Sequence, residues 1–331
     1  MKRSKYSCLI LVSLFAFSAC NSSSGKKEGT TSEPAVTSIP PEYEPTWNNY
    51  EEKYSGYDFK TKIGRELQTE IHNYMIDKHQ TYVTYGNFWY YVNTAADRIP
   101  GTENNQLFYT GKVAPRVSRD NQDREHVWPC ASSNGLWWRS SDYEETNIEK
   151  KNDKYWGGGS DLFHVRPATS RVNQKRLNAS FYDFSDEELK DQTCLQDGGP
   201  YKVYVNYNAS KVEVDDAFKG DVARIIMYVY THYSKLGTKN VYYSEDYKPV
   251  YSLEEAVTPS TTRTPDVCGN LSLSDIVAYK NINDVYEKLR EWNRIDPPSE
   301  VEMNRNNYVE SIQGNRNPFV DYPQLVDYCL I

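Results

Sequence analysis

The chain has 331 residues, 38% of them hydrophobic and 25% charged, with 29 tyrosines. This composition excludes a disordered or fibrous chain and allows one or two domains with a sizeable core. A formal net charge of −8 excludes a uniformly basic nucleic-acid binder, so any such partner must be met by a local basic cluster.

In chain order, Lys2, Arg3 and Lys5 precede an apolar run from Cys8 to Phe17 that only Ser13 interrupts. The run is too short to span a bilayer stably, and its flanks predict a signal peptide over 1–19. Phe17-Ser18-Ala19-Cys20 resembles a bacterial lipobox, with small residues just before a cysteine. That resemblance implies cleavage before Cys20, lipidation of Cys20 and attachment of an exported protein to a membrane. The expected location is the outer membrane, on its periplasmic or cell-surface face, or the secreted fraction. An ordinary secretory signal with an incidental Cys20 is the alternative. Residues 20–50 are rich in Ser, Gly, Thr, Pro, Glu and Lys, the composition of a disordered tether.

From 51 to 331 no linker-like break or repeat appears, which predicts one folded domain. Ile63, Leu67, Ile71 and Met75 recur four apart and predict a helix over 61–79. Leu107–Thr110 and Tyr201–Val205 read as strands. Apolar stripes predict helices over Asp216–Leu236 and within Leu273–Trp292, the latter through Ile276, Tyr279, Ile282, Val285 and Leu289. Pro297-Pro298 stops that helix, and Glu300–Gln313 reads as another. The mixture is α+β with helices in the majority. Cys130, Cys194, Cys268 and Cys329 match no zinc spacing and predict one or two disulfides of open connectivity, with Cys130 as an anchor near the strand that ends in Pro129.

Two segments carry chemistry. The first is Arg124-Glu125-His126-Val127-Trp128-Pro129. Adjacent strand residues point to opposite faces, so Glu125 and His126 meet one substrate only at a twisted or bulged strand end. The second is Ser160-Asp161-Leu162-Phe163-His164-Val165-Arg166-Pro167, after Gly157-Gly158-Gly159. A helix is expected to open at Thr169 or Ser170 and to place Asn173, Arg176 and Leu177 on one face. Arg166, Arg171, Lys175 and Arg176 give four positive charges between Val165 and Asn178 with no acid. By charge alone this reads as a solvated helix face or as a phosphate-binding cluster.

Taken together, these motifs resemble the endonuclease I family of exported bacterial nucleases. Trp292-Asn293-x-x-Asp296-Pro297-Pro298 and Ile312-Gln313-Gly314-Asn315-Arg316-Asn317-Pro318-Phe319, followed by Asp321 and Pro323, resemble the family's closing motifs. The resemblance implies a ββα-metal (His-Me finger) nuclease core embedded in a largely helical single domain. It implies one Mg²⁺, with Mn²⁺ or Ca²⁺ as alternatives, held by Glu125 and Asn173, and His126 as general base. Hard oxygen ligands suit Mg²⁺, and imidazole suits a neutral-pH base. Arg166, Arg171 and Arg176 are the candidate phosphate-binding residues. The implied activity is non-sequence-specific hydrolysis of DNA, and of RNA as well, leaving 5′-phosphate ends; a monomer is expected. Phe163 stands where many members have His, and Cys130 follows Trp-Pro where many have a polar residue. Two other readings stay open: a catalytically silent surface-binding lipoprotein, and a phosphodiesterase acting on RNA or small nucleotides. His72, His79 and His232 read as structural, His164 as structural or orienting, and Gln313–Asn317 as a polar turn supporting the core.

Overall fold

Helices form where apolar spacing and capping chemistry agree. The computed structural model describes residues 46–81, 83, 85–116, 120–129, 158–234, 236 and 271–331, with two short strand pieces, Tyr242–Tyr243 and Pro249–Val250. The signal peptide, Cys20, most of the tether, Cys130 and Cys268 lie outside the described residues.

Ten helices lie among the described residues: α1 (Tyr50–Tyr54), α2 (Gly64–Lys78), α3 (Phe88–Tyr91), α4 (Ser170–Arg176), α5 (Asp186–Leu189), α6 (Asp216–Tyr233), α7 (Ile282–Ile295), α8 (Glu300–Gln313), α9 (Pro318–Asp321) and α10 (Gln324–Cys329). α6 is the central helix. Asp215 caps it by accepting from the Ala217 N–H, and almost every residue from Phe218 to Tyr233 is buried. A helix apolar on all sides needs neighbours on all sides. α2 supplies one through Leu67, Ile71 and Met75, and α7 another through Val285, Leu289 and Trp292. Each such side chain contributes about 1.5–3 kcal/mol on full burial. α8 ends at Gly314, at φ 90°, where a Cβ would lie 2.5 Å from the Lys78 carbonyl. Glycine alone allows α8 and α2 to end this close together.

The strands are short. β1 (Asn104–Leu107) and β2 (Lys112–Pro115) form a hairpin. β3 (Gln122–His126) pairs antiparallel with β4 (Val165–Thr169), with Glu125 opposite Arg166 and His126 opposite Val165. β4 is buried along its whole length and runs directly into α4. Pro167 has no N–H for a ladder, and its carbonyl accepts from Phe108 at 2.8 Å. A four-stranded sheet, in the order β5 (Ser180–Phe181), β8 (Lys211–Val214), β7 (Val203–Asn206), β6 (Thr193–Leu195), completes the architecture.

Two expectations change. The strand expected at Leu107–Thr110 lies at Asn104–Leu107, and Tyr109 takes the left-handed conformation at φ 66°. The helix expected within Leu273–Trp292 begins only at Ile282, because Asn281 caps it through the Asn283 N–H at 3.0 Å. Upstream of that cap the Ile276 carbonyl accepts from Phe181 at 2.7 Å, so the capping and sheet contacts override the apolar spacing. Cys194 and Cys329 are free thiols, and Cys130 and Cys268, the other candidates for the expected disulfides, lie outside the described residues. Cys194 is exposed on β6, whereas Cys329 lies in the core, where burial pushes its thiol up.

Candidate active site

The site is built where β3 ends against α4. Glu125 is buried, and its Oε1 accepts from the Tyr109 hydroxyl at 2.8 Å and from the Arg176 guanidinium. The left-handed turn at Tyr109 delivers that ring to the carboxylate. Arg176 also donates to the carbonyls of His126 at 2.8 Å and Val127 at 2.7 Å. Its guanidinium lies over the Phe181 ring at 4.7 Å. One arginine thus ties the last turn of α4 to the end of β3 and fixes the carboxylate. Burial raises the Glu125 carboxyl above its ordinary range, against the pull of Arg176 and the Tyr109 hydrogen bond.

His126 is half-buried, and its Nε2 lies 2.8 Å from the Gly159 carbonyl. A carbonyl only accepts, so Nε2 carries the hydrogen and Nδ1 is the basic lone pair of the neutral ring. Loss of water around the ring, then the neighbouring His164, lowers its pKa to about 3. Tyr85 stacks on this imidazole at 5.7 Å between centroids and 21° between planes. Arg124 lies 3.6 Å over the Tyr85 ring and donates to its carbonyl at 2.8 Å.

His164 works beside it. Its Nδ1 donates to the Gly158 carbonyl at 2.6 Å, and its Nε2 accepts from the Trp128 N–H at 2.9 Å. Two consecutive glycine carbonyls therefore hold two histidines, His164 and His126.

Asn173, in the middle of α4, is half-buried and donates through Nδ2 to Asp123 at 3.4 Å. Glu125, His126 and Asn173 all line one cleft of about 370 Å³, with Tyr85, Arg124 and Gln174. Strand twist at the end of β3 thus brings the adjacent Glu125 and His126 to one opening. Among the described residues no donor reaches Glu125 Oε2 or Asn173 Oδ1. Two hard oxygens on one cleft fit a magnesium-class cation.

The expected phosphate-binding arginines separate. Arg171 is exposed, beside the exposed Gln174 and Lys175. Arg166 and Arg176 are buried, at 3% and 2% exposure, which corrects their reading as phosphate ligands. Arg166 Nε pairs with Asp97 at 2.9 Å, and Asp97 also takes the Arg305 guanidinium. A buried guanidinium already committed to a buried carboxylate has no face left for an external phosphate. Arg305 in turn donates to the carbonyls of Leu162 and Val165, so this network clamps the entry to β4. Phe163 is buried against Tyr228, away from the cleft residues.

The closing motifs support the core. Gln313 holds both ends of a bridge, accepting from the Leu162 N–H at 2.8 Å and donating to Asp161 at 3.0 Å. Asn315 donates to the Tyr228 hydroxyl at 2.8 Å. Arg316 pairs with Asp321 through Nε at 2.6 Å and Nη2 at 2.7 Å. Asn293 donates to the Pro323 carbonyl at 2.9 Å. Tyr109, Tyr85, Asp97 and Arg305 carry no motif and were not legible as site residues.

A buried carboxylate, an imidazole fixed by a backbone carbonyl and an amide side chain thus line one cleft. The Endonuclease I family model matches residues 55–256 and 269–324. The chain belongs to that family, and is thereby a hydrolase acting on nucleic acid. It is similar to "Extracellular ribonuclease" of Bacillus subtilis (strain 168), 29% identical over 280 residues, covering 83% of this chain and 76% of that protein. It is also similar to "Extracellular ribonuclease" of Bacillus amyloliquefaciens, 27% identical over 272 residues, covering 80% and 74%.

Proposed function

We propose that this protein is an exported, metal-dependent endonuclease that hydrolyses RNA and DNA without sequence preference and leaves 5′-phosphate ends. The observation that carries the reading is the convergence of Glu125, His126 and Asn173 on one cleft, with the His126 tautomer set by Gly159. The β3–β4–α4 unit is then the ββα-metal core.

Glu125 Oε2 and Asn173 Oδ1 would hold the cation. Bound there, a magnesium-class ion supplies neutralisation of the scissile phosphate and of the departing oxygen. His126 Nδ1 takes the proton of the attacking water, whose oxygen bonds to phosphorus as the P–O3′ bond breaks. Burial keeps the ring neutral, with its Nδ1 lone pair unprotonated. Arg176 and Tyr109 position the Glu125 carboxylate rather than meeting substrate. Arg171, with Lys175 beside it, meets the phosphate backbone. Backbone contacts position a substrate without reading its sequence.

The test is digestion of RNA, single-stranded DNA and duplex DNA with Mg²⁺. Wild type cuts RNA and DNA and EDTA stops it, while His126→Ala folds normally and loses activity by about 10³-fold or more. Full activity in that variant, or in EDTA, sinks the mechanism. Export and lipidation of Cys20 are part of the proposal, and a monomer is the expected state. Cys20→Ser should move the protein from the membrane fraction to the soluble fraction. An unchanged membrane fraction would overturn the anchor and leave the nuclease reading intact.

A further inference from the structure

Two imidazoles and a carboxylate converge outside the cleft, where the ends of α2 and α6 meet the turn before β4. His79, just past α2, presents Nδ1 at 3.1 Å from Nε2 of His232, near the end of α6. Asp161 completes the group, with one ligand atom from each residue lying within 4.8 Å of the others. All three side chains are buried, at no more than 2% exposure. We propose that His79, His232 and Asp161 hold a structural divalent ion of the zinc class, at a site chemically separate from Glu125 and Asn173.

The spacing supports it. Two imidazole nitrogens on one tetrahedral zinc, each at about 2.0–2.1 Å, stand about 3.3 Å apart, close to the separation of this pair. Ligating imidazoles must be neutral, and both rings are buried among apolar and aromatic neighbours that favour the neutral form. His232 Nδ1 is buried with no hydrogen-bond partner among the described residues. Nothing outside the pair therefore dictates its tautomer, and Nε2 can face an ion as a lone pair. Asp161 is held rigidly. Its Oδ2 accepts from the Tyr228 and Tyr233 hydroxyls, each at 2.7 Å, and its Oδ1 from Phe163 N at 2.8 Å and Gln313 Nε2 at 3.0 Å. Such outer bonds orient a ligating carboxylate. All of its lone-pair directions are used, so a bound ion would displace one of these hydrogen bonds, the donor group turning away with its proton retained.

Two nitrogens and one oxygen favour zinc over magnesium or calcium. The site joins α2, α6 and, through Gln313, α8 to the turn whose Asp161 carbonyl accepts from the His164 and Val165 N–H groups. An ion here would brace the base of the catalytic strand pair without touching substrate. The proposal does not depend on the nuclease reading.

The experiment counts metal rather than activity. The full chain is purified from zinc-supplied cells, dialysed into Mg²⁺ buffer without chelator, and its zinc measured by mass spectrometry. About one zinc per chain is expected in wild type and in Glu125→Ala, and loss of it in His79→Gln and His232→Gln. Cobalt added to the stripped protein should give tetrahedral visible absorption in wild type and Glu125→Ala, and none in His79→Gln. A wild type with less than about 0.1 zinc per chain and no cobalt spectrum overturns the proposal, whether or not the variants fold. So does a metal lost on Glu125→Ala, because that ion sits in the cleft.

Discussion

Arg171 and Arg176 stand on one short helix and do opposite work. Arg176 neutralises a buried carboxylate and holds two strand-end carbonyls, while Arg171 is solvent-exposed. Breaking a buried pair strands its partner's charge, which costs about 3–5 kcal/mol. Arg176→Met should therefore lower unfolding free energy by about that amount, read as a lower urea midpoint at unchanged slope. Arg171→Ala should leave stability within about 0.5 kcal/mol of wild type. Equal losses in the two variants would contradict the division. The sequence exposed Glu125, His126 and Asn173 through their motifs, but not this division. Four positive charges on neighbouring turns look alike on paper, and exposure is the ordinary fate of arginine. Only the fold reveals that Asp97 and Glu125, each about fifty or more residues upstream of its partner, claim two of them.

At the scale of elements, His164 latches Gly158 to Trp128, two residues past the end of β3. Its two nitrogens do different jobs, and protonating Nε2 would break the bond from Trp128. Burial lowers its pKa to about 4, below the unfolded value of about 6.5. Between those values the unfolded chain binds a proton that the native one refuses. The stability due to His164 is thus fully present above about pH 6.5 and is lost as pH falls toward about 4, at about 1.4 kcal/mol per unit. His164→Gln keeps one donor and one acceptor without a titrating group. Its stability should gain on that of wild type by on the order of 3 kcal/mol across that interval, followed by denaturant titration at several pH values. Parallel curves would rule out the latch as the titrating group. Elements with strong periodicity, such as α2 and α6, were legible in the sequence because their apolar residues meet a single core. The segment ahead of Asn281 was not, because Ile276 and Tyr279 repeat at helical spacing, yet the Ile276 carbonyl and the Ala278 N–H bond to Phe181 across a bridge at Val277.

For the whole molecule the governing fact is that an acidic protein offers a cleft with few cations among the described residues. The formal charge is −8; Arg124 lines the cleft, and Arg171 and Lys175 are exposed on the helix that carries Asn173. At physiological ionic strength the Debye length is about 8 Å, so distant carboxylates are largely screened while groups at the cleft still act on a phosphate. Each phosphate neutralised adds about −0.7 to −0.9 to the slope of log affinity against log salt. A cleft with so few contacts should therefore give a shallow slope, on the order of −2, for kcat/KM against monovalent salt at fixed Mg²⁺. Arg171→Ala should flatten that slope by about one and weaken RNA and DNA alike, since a phosphate contact carries no base information. If the variant lost activity while keeping the wild-type slope, Arg171 would be acting on the fold of α4 rather than on substrate. A wild-type slope many times steeper would mean that the substrate path extends well beyond the cleft formed by β3 and α4.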